Sequence, residues 1–310
     1  MDSFFFNITD RRYKLSELYK RKDEHVTRVD ISNGLVFFDI SLSLKEEKTV
    51  EVKNLDRMSF IVGVSKGKAE IHDKIKDKHY KLRENKTYLF CSSRQDLKIT
   101  LEASTKSEVF ILFVADFFIK RYLSDRADEP INFLYEKMQG ELSLELVNET
   151  STDALSLYFI DRLVHSQANE KMKSIISEHR AIEYMIHRLS LLELLNLDAF
   201  SEEEQEIASK AKEIILQNYK TPPSIKELAH LCSTNDFKLK SYFKKVHKTT
   251  VYAYVQKLRL EKANLLLREK FLSVGEIALE VGYKHQGHFS SIFYKTYGVY
   301  PKDLKISVQG

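Results

Sequence analysis

The chain has 310 residues, 43% of them apolar, which allows two or three domains with real cores and excludes a disordered chain. No apolar run reaches the roughly 18 residues needed to span a bilayer, and the opening MDSFFFNITDRR lacks the basic start and cleavage site of a secretory leader, so a cytoplasmic chain is expected. Two cysteines, Cys91 and Cys232, are too few for a disulfide framework or a zinc-ligand set, and the net charge of +4 hides a split: from Glu204 onward 18 Lys/Arg face 10 Asp/Glu, whereas the preceding 203 residues are net negative.

Residues 26–115 read as strands. VFFDISLSL (36–44), TVEVKNL (49–55), FIVGVSKGKAEI (60–71), KHYKLRENKTYLF (78–90), LKITLEA (97–103) and EVFILFV (108–114) are rich in β-branched and aromatic residues, several with visible alternation. Six closely spaced strands predict a small β-rich, cupin-like barrel or sandwich over residues 1–115. Barrels of this size either enclose a ligand or fill their interior with side chains, and a one-residue uncertainty in strand register leaves pocket residues unassigned.

From Asp116 the period changes. FFIKRYL (117–123), Ser143–Ser166 and Lys173–Leu197 read as helical, and residues 116–199 are expected to form a helical linker or dimerisation region. In the last segment Ile175, Ile176, Ile182, Met185, Ile186, Leu189, Leu192 and Leu195 form a stripe expected to pack within the chain. Ser201 with Glu204 has the form of a capping box, placing the next boundary near Asp198–Phe200 and an all-α domain over residues 200–310. Thr221-Pro222-Pro223-Ser224 then ends one helix and caps the next.

That last domain contains a repeat. Ile225, Leu228, Ala229 and Cys232 recur 49 residues later as Val274, Ile277, Ala278 and Val281, and Leu239 and Phe243 recur 50 residues later as Phe289 and Phe293. Each copy reads as a short helix, a break (Ser233-Thr234 or Gly282-Tyr283) and a second helix with one face free to enter a major groove. Between the copies, residues 249–269 predict a helix without Gly or Pro, roughly 30 Å long, against a DNA turn of about 34 Å.

These residues resemble the DNA-binding domain of the AraC/XylS family of transcription regulators over about 204–306. The resemblance rests on Ile225-x-x-Leu228-Ala229, Leu239-x-x-x-Phe243-Lys244, Tyr254, Arg259 with Ala263, Ile277-Ala278-x-x-x-Gly282-Tyr283, Phe289-x-x-x-Phe293 and Tyr297-Gly298-x-x-Pro301. Residues 235–263 look most like the subgroup around the siderophore-responsive regulator PchR. The resemblance implies an effector-responsive activator that binds double-stranded promoter DNA and engages RNA polymerase, with a small-molecule effector (a ferric siderophore or another metabolite) and a homodimer as further expected partners.

By the family's pattern, base-edge contacts fall on Phe237, Lys240 and Ser241, with Lys238 beside them, and on Gln286, Gly287, Ser290 and Ser291 in the second copy. The chemistry agrees in part: Lys240 can donate to guanine, Gln286 can pair with adenine, and Phe237 can touch a thymine methyl. Lys244 and Lys245, with Lys248, suit phosphates. Many family members have Arg where this chain has Ser291 and a basic residue where it has Tyr294, so the first copy is expected to dominate affinity.

No cofactor, metal or catalytic residue is expected. His285-x-x-His288 is half a metal site without a partner, and His72 and His79 read as structural or exposed. Nine glycines leave little room for a phosphate-cradling loop. The rival readings are a small-barrel metal enzyme fused to a DNA-binding tail, which requires a convergent ligand set within 26–115 that the sequence does not display, and a constitutive regulator whose barrel only dimerises.

Overall fold

The computed structural model describes residues 4–5, 13–54, 57–124, 129–140, 144–166, 172–192, 200–268 and 272–309. The chain divides into two compact units: residues 1–152 with 159–192, and residues 153–158 with 193–310.

The first unit is sheet-rich. Its strands are β1 (Phe4–Phe5), β2 (Lys14–Arg21), β3 (Glu24–Ser32), β4 (Leu35–Leu44), β5 (Lys48–Asn54), β6 (Met58–Lys66), β7 (Ala69–Asp73), β8 (Lys78–Leu82), β9 (Lys86–Ser92), β10 (Gln95–Leu101), β11 (Ser104–Ala115) and β12 (Leu144–Ser151). They form a five-stranded sheet in the order β1-β5-β10-β7-β8 and a seven-stranded sheet in the order β12-β9-β6-β11-β4-β3-β2. Both orders are open, so of the expected cupin-like barrel or sandwich no closed barrel is found among the described residues, and two sheets stand in its place. The reason lies at two corners. FIVGVSKGKAEI is two strands, β6 in the larger sheet and β7 in the smaller, broken at Gly67, whose φ of +79° most side chains resist. KHYKLRENKTYLF likewise breaks at Asn85 (φ +60°) into β8 and β9, one in each sheet.

Side chains from both sheets fill the space between them. Phe60 stacks on Phe90 at 5.1 Å between centroids, Phe113 lies 5.2 Å from Phe60, and Tyr80 meets Phe90 edge-on at 5.2 Å. The other face of the seven-stranded sheet is covered by helices α1 (Asp116–Ile119), α2 (Pro130–Gln139), the later part of α3 (Ala154–Val164) and α4 (Lys173–Ser190). A sheet covered on both faces needs apolar residues at every position. This explains VFILFV: Val109, Ile111 and Phe113 face the inter-sheet core, while Phe110, Leu112 and Val114 face the helices. The α4 stripe packs here through Ala181, Tyr184, Met185 and Leu189, with Ile182 and Leu192 beside them, whereas Ile175 and Ile186 are exposed.

Two helical expectations change. Residues 144–151, read as helix, are the strand β12, because they pair with β9 from Leu144↔Ser92 to Ser151↔Lys86. Residues 117–123 are a single helical turn followed by a short 3-10 turn over Lys120–Tyr122. Leu195 and most of the boundary at Asp198–Phe200 lie outside the described residues.

The second unit is helical: α5 (Glu202–Asn218), α6 (Ile225–Leu231), α7 (Asp236–His247), α8 (Val251–Leu266), α9 (Val274–Glu280), α10 (Gln286–Tyr297) and α11 (Pro301–Gln309), with the segment 153–158. Three complete capping boxes start α5, α6 and α9, pairing Ser201 with Glu204, Ser224 with Glu227 and Ser273 with Glu276. Segment 153–158 is held by the buried Asn264 of α8, which accepts from Leu155 N at 2.8 Å and donates to Asp153 Oδ1 at 2.9 Å. The bar α8 is shorter than its sequence suggests: Thr250 caps it and it ends at Leu266, giving 16 residues and a length of about 24 Å.

Phe90, fully buried among Phe60, Tyr80 and Tyr88, tests the filled inter-sheet core. Phe90→Ala is expected to lower the stability of the first unit by about 3–5 kcal/mol, read as a lower denaturation midpoint in urea.

Candidate nucleic-acid interface

The two copies agree down to their hydrogen bonds. In the first, Ser233 N donates to His230 O and Thr234 N to Ala229 O, at 3.0 and 2.9 Å. In the second, Gly282 N donates to Leu279 O and Tyr283 N to Ala278 O, at 3.0 and 2.8 Å. Both turns pass through the left-handed region, Ser233 at φ +55° and Gly282 at φ +93°. Ala229 and Ala278 are buried under the second helix of each copy, as expected of small residues where backbones approach.

The second helices α7 and α10 bury one face and expose the other. On α7, Leu239, Phe243 and Val246 are buried, while Lys240, Ser241, Lys244 and Lys245 are exposed, Lys238 is half-buried and Phe237 is 82% exposed. A phenyl ring that open is costly in water and suits a surface that covers an apolar group. On α10, Phe289 and Phe293 are buried, Gln286, Gly287 and Ser291 are exposed and Ser290 is half-buried. A Cβ at Gly287 would meet nothing within 4 Å, so this corner is open. Gln286 lies over α9, where a Cβ on Gly275 would approach its Oε1 to 2.9 Å. Tyr294 stacks on Tyr300 with centroids 4.4 Å apart, which fills the place of the family's basic residue with an aromatic pair. Among the described residues no third metal-ligating group joins His285 and His288.

The lysines of α7 are not equivalent. Lys238 Nζ donates to Glu203 Oε1 at 2.8 Å, and Lys245 Nζ donates to both oxygens of Glu204 at 2.8 Å. The Lys245 hydrogen bond holds the Glu204 carboxyl below the usual carboxylate range, helped by the Ser201 backbone, and the Glu203 contact raises Lys238. Because the Glu204 shift is downward, its pairing is intact at neutral pH and is lost only on acidification below its ordinary titration. Lys240 and Lys244 have no carboxylate partner among the described residues. The sequence flagged the acidic run at 202–204 as a helix cap but missed its ion pairs, which join residues 35 and 41 positions apart.

One joint ties the first copy, the bar and the second copy together. Arg259 of α8 donates through Nε to Tyr219 O and through Nη2 to Lys220 O, both at 2.9 Å, closing the end of α5. The same guanidinium lies 5.4 Å from the ring centre of Tyr283. Lys220 pairs with Glu280 at the end of α9. Gly282 sits so close that a Cβ there would stand 2.4 Å from Lys220 O and 3.0 Å from Arg259 Nη2. Both the positive φ and the contact therefore demand glycine. Arg259 was expected from the family's pattern; its grip on two carbonyls was not legible.

Removing the Glu203 carboxylate that holds Lys238 should free that lysine for phosphate. Glu203→Gln is expected to strengthen binding of the chain to duplex DNA and to steepen its dependence on salt concentration, with each freed cation adding about 0.9 to the log–log slope. A fluorescence-anisotropy titration across several salt concentrations reads both effects, with Lys238→Ala as the opposing control.

Residues 228–305 match the family model described as "Helix-turn-helix domain". The chain is similar to the HTH-type transcriptional activator RhaR of Mannheimia succiniciproducens, 37% identical over 81 residues, which are 25% of this chain and 29% of that protein. It is also similar to the bifunctional transcriptional activator/DNA repair enzyme AdaA of Bacillus subtilis, 28% identical over 89 residues, 29% of this chain and 42% of that protein. The chain thus aligns with less than half the length of these curated relatives. Among solved structures, ToxT from Vibrio cholerae aligns over 89% of this chain and 99% of its own, at 13% identity and a TM-score of 0.32. The second unit thus carries a helix-turn-helix domain over residues 228–305.

Proposed function

We propose that the chain is a sequence-specific DNA-binding transcription regulator, with activation as the favoured direction. The observation that carries this reading is the duplicated helix-turn-helix with an exposed, basic and aromatic reading face, locked at one joint. Phe237, Lys240 and Ser241 would read base edges from α7, and Gln286, Gly287, Ser290 and Ser291 from α10. Lys244 would hold phosphate directly, while Lys238 and Lys245 would do so on leaving Glu203 and Glu204. Similarity to transcriptional activators supports the direction, and nothing in the reading face calls for catalysis.

The first unit would regulate the second by population shift: an effector that prefers one arrangement raises or lowers DNA-binding competence. RNA polymerase and a second copy of the chain are the further proposed partners, and promoter DNA implies the cytoplasm. The PchR-like resemblance of residues 235–263 nominates a ferric siderophore as effector. The aromatic filling between the two sheets supports a second reading, in which the first unit only dimerises and the regulator is constitutive.

A gel-shift titration of the full chain against its own upstream region and against random duplex, at about 0.15 M salt, tests the proposal. Tighter binding to the specific region is expected, by at least the roughly thousandfold ratio at the low end for specific DNA binders. Lys240→Ala should weaken specific binding far more than Gln286→Ala; equal affinity for both duplexes contradicts the proposal.

A further inference from the structure

The five-stranded sheet turns one face to the aromatic core and leaves the other polar. Strands β7 and β8 pair with His72 directly opposite His79. Ala69, Ile71, Asp73, Tyr80 and Leu82 are buried on the inner face, so Glu70, His72 and His79 share the outer one. The two imidazoles stack with centroids 4.0 Å apart and planes 9° apart. Asp77, in the turn between the strands, brings Oδ1 to 2.8 Å from His72 Nε2 and 4.0 Å from His79 Nε2. One ligand atom from each of His72, Asp77 and His79 lies within 4.8 Å of the others.

Glu70 adds an independent constraint. Its Oε1 stands 2.6 Å from His79 Nδ1. A carboxylate only accepts, so Nδ1 carries the hydrogen and, in the neutral ring, Nε2 presents a bare lone pair. That lone pair faces the Asp77 carboxylate across 4.0 Å, two acceptors with no donor between them. A carboxylate behind a histidine is also the arrangement that orients metal-binding imidazoles and raises their basicity.

We propose that the β7–β8 hairpin binds a divalent transition-metal ion of the Zn²⁺ class through His72 Nε2, His79 Nε2 and the Asp77 carboxylate, with water as the fourth ligand and Glu70 as the orienting group. Two imidazoles with one carboxylate suit zinc rather than Mg²⁺ or Ca²⁺, which prefer all-oxygen sets. Tetrahedral coordination at about 2.1 Å places ligand atoms about 3.4 Å apart. In the metal-free protein His72 Nε2 gives its hydrogen to Asp77 at 2.8 Å, so metal binding requires the Nδ1–H tautomer of that ring, and one of the two near-parallel imidazoles must turn out of the stack for both Nε2 lone pairs to converge. The His79–Asp77 gap must close slightly and the His72–Asp77 contact widen, and Asp77 is 88% exposed. Lys98 stands opposite His72 and Lys81 opposite Glu70, which limits affinity. On an open sheet face the ion would staple the edge strand β8 to its neighbour rather than form a catalytic centre.

Titration of the full-length, EDTA-stripped protein with zinc chloride by isothermal calorimetry tests the proposal. One saturable equivalent is expected. His79→Gln and Asp77→Asn should each weaken it at least about tenfold, and Glu70→Gln, which removes no ligand, about tenfold. Metal-free melting curves of the variants report folding, and Asp77→Asn changes so exposed a side chain that the fold is not at stake. The absence of a saturable equivalent, as when an imidazolium fills the gap instead, overturns the proposal. So does wild-type affinity in both Asp77→Asn and His79→Gln, which would assign the ion to others of the ten histidines.

Discussion

The second unit depends on the grip of one guanidinium on two backbone carbonyls. Arg259 closes the end of α5 through Tyr219 O and Lys220 O, and its other face meets the Tyr283 ring beside Gly282. A planar donor with several N–H groups in a fixed fork suits this task, and a lysine could not span both carbonyls while stacking on a ring. The end of α5 belongs to the first reading head, whose core includes Ile207, Ala211, Ile215, Leu228 and Phe243. The turn at Gly282 belongs to the second. Two heads that meet only through a 16-residue bar could twist against each other; heads that also meet at this joint cannot do so without breaking charge-assisted hydrogen bonds. A fixed relation between heads turns two weak readers into one strong one, because the second contact becomes intramolecular once the first is made.

Charge within the same unit works against binding as well as for it. The acidic start of α5 satisfies its own capping box and also holds two lysines of the first reading helix. Both pairs are exposed, so they contribute little to stability. Their consequence is a difference in availability: Lys238 and Lys245 are each held by a carboxylate, whereas Lys240 and Lys244 have no such partner among the described residues.

What the sequence made legible follows from how local each signal is. The capping box at Ser201, the cap at Ser224, the 49-residue repeat and the apolar faces of α7 and α10 are short-range patterns, and all recur in the structure. The exposed face of α7 was legible for the same reason, since the side opposite Leu239 and Phe243 is fixed by helical period. The corners at Gly67 and Asn85 were not, because apolar alternation runs straight through them while the chain passes from one sheet to the other. Residues 144–151 were misread because their strand identity comes from β9, more than fifty residues earlier. The facing of His72 and His79 was hidden by the same kind of fact: six residues separate them, and only the β7–β8 register sets them opposite.

The distance between the two reading heads, measured by double electron–electron resonance with spin labels at Ser241→Cys and Ser291→Cys in DNA-free protein, tests the joint most directly. A fixed joint predicts one narrow distance distribution that duplex DNA leaves in place. A broad distribution that narrows only when DNA is added would mean that the duplex, and not Arg259 and Gly282, sets the spacing.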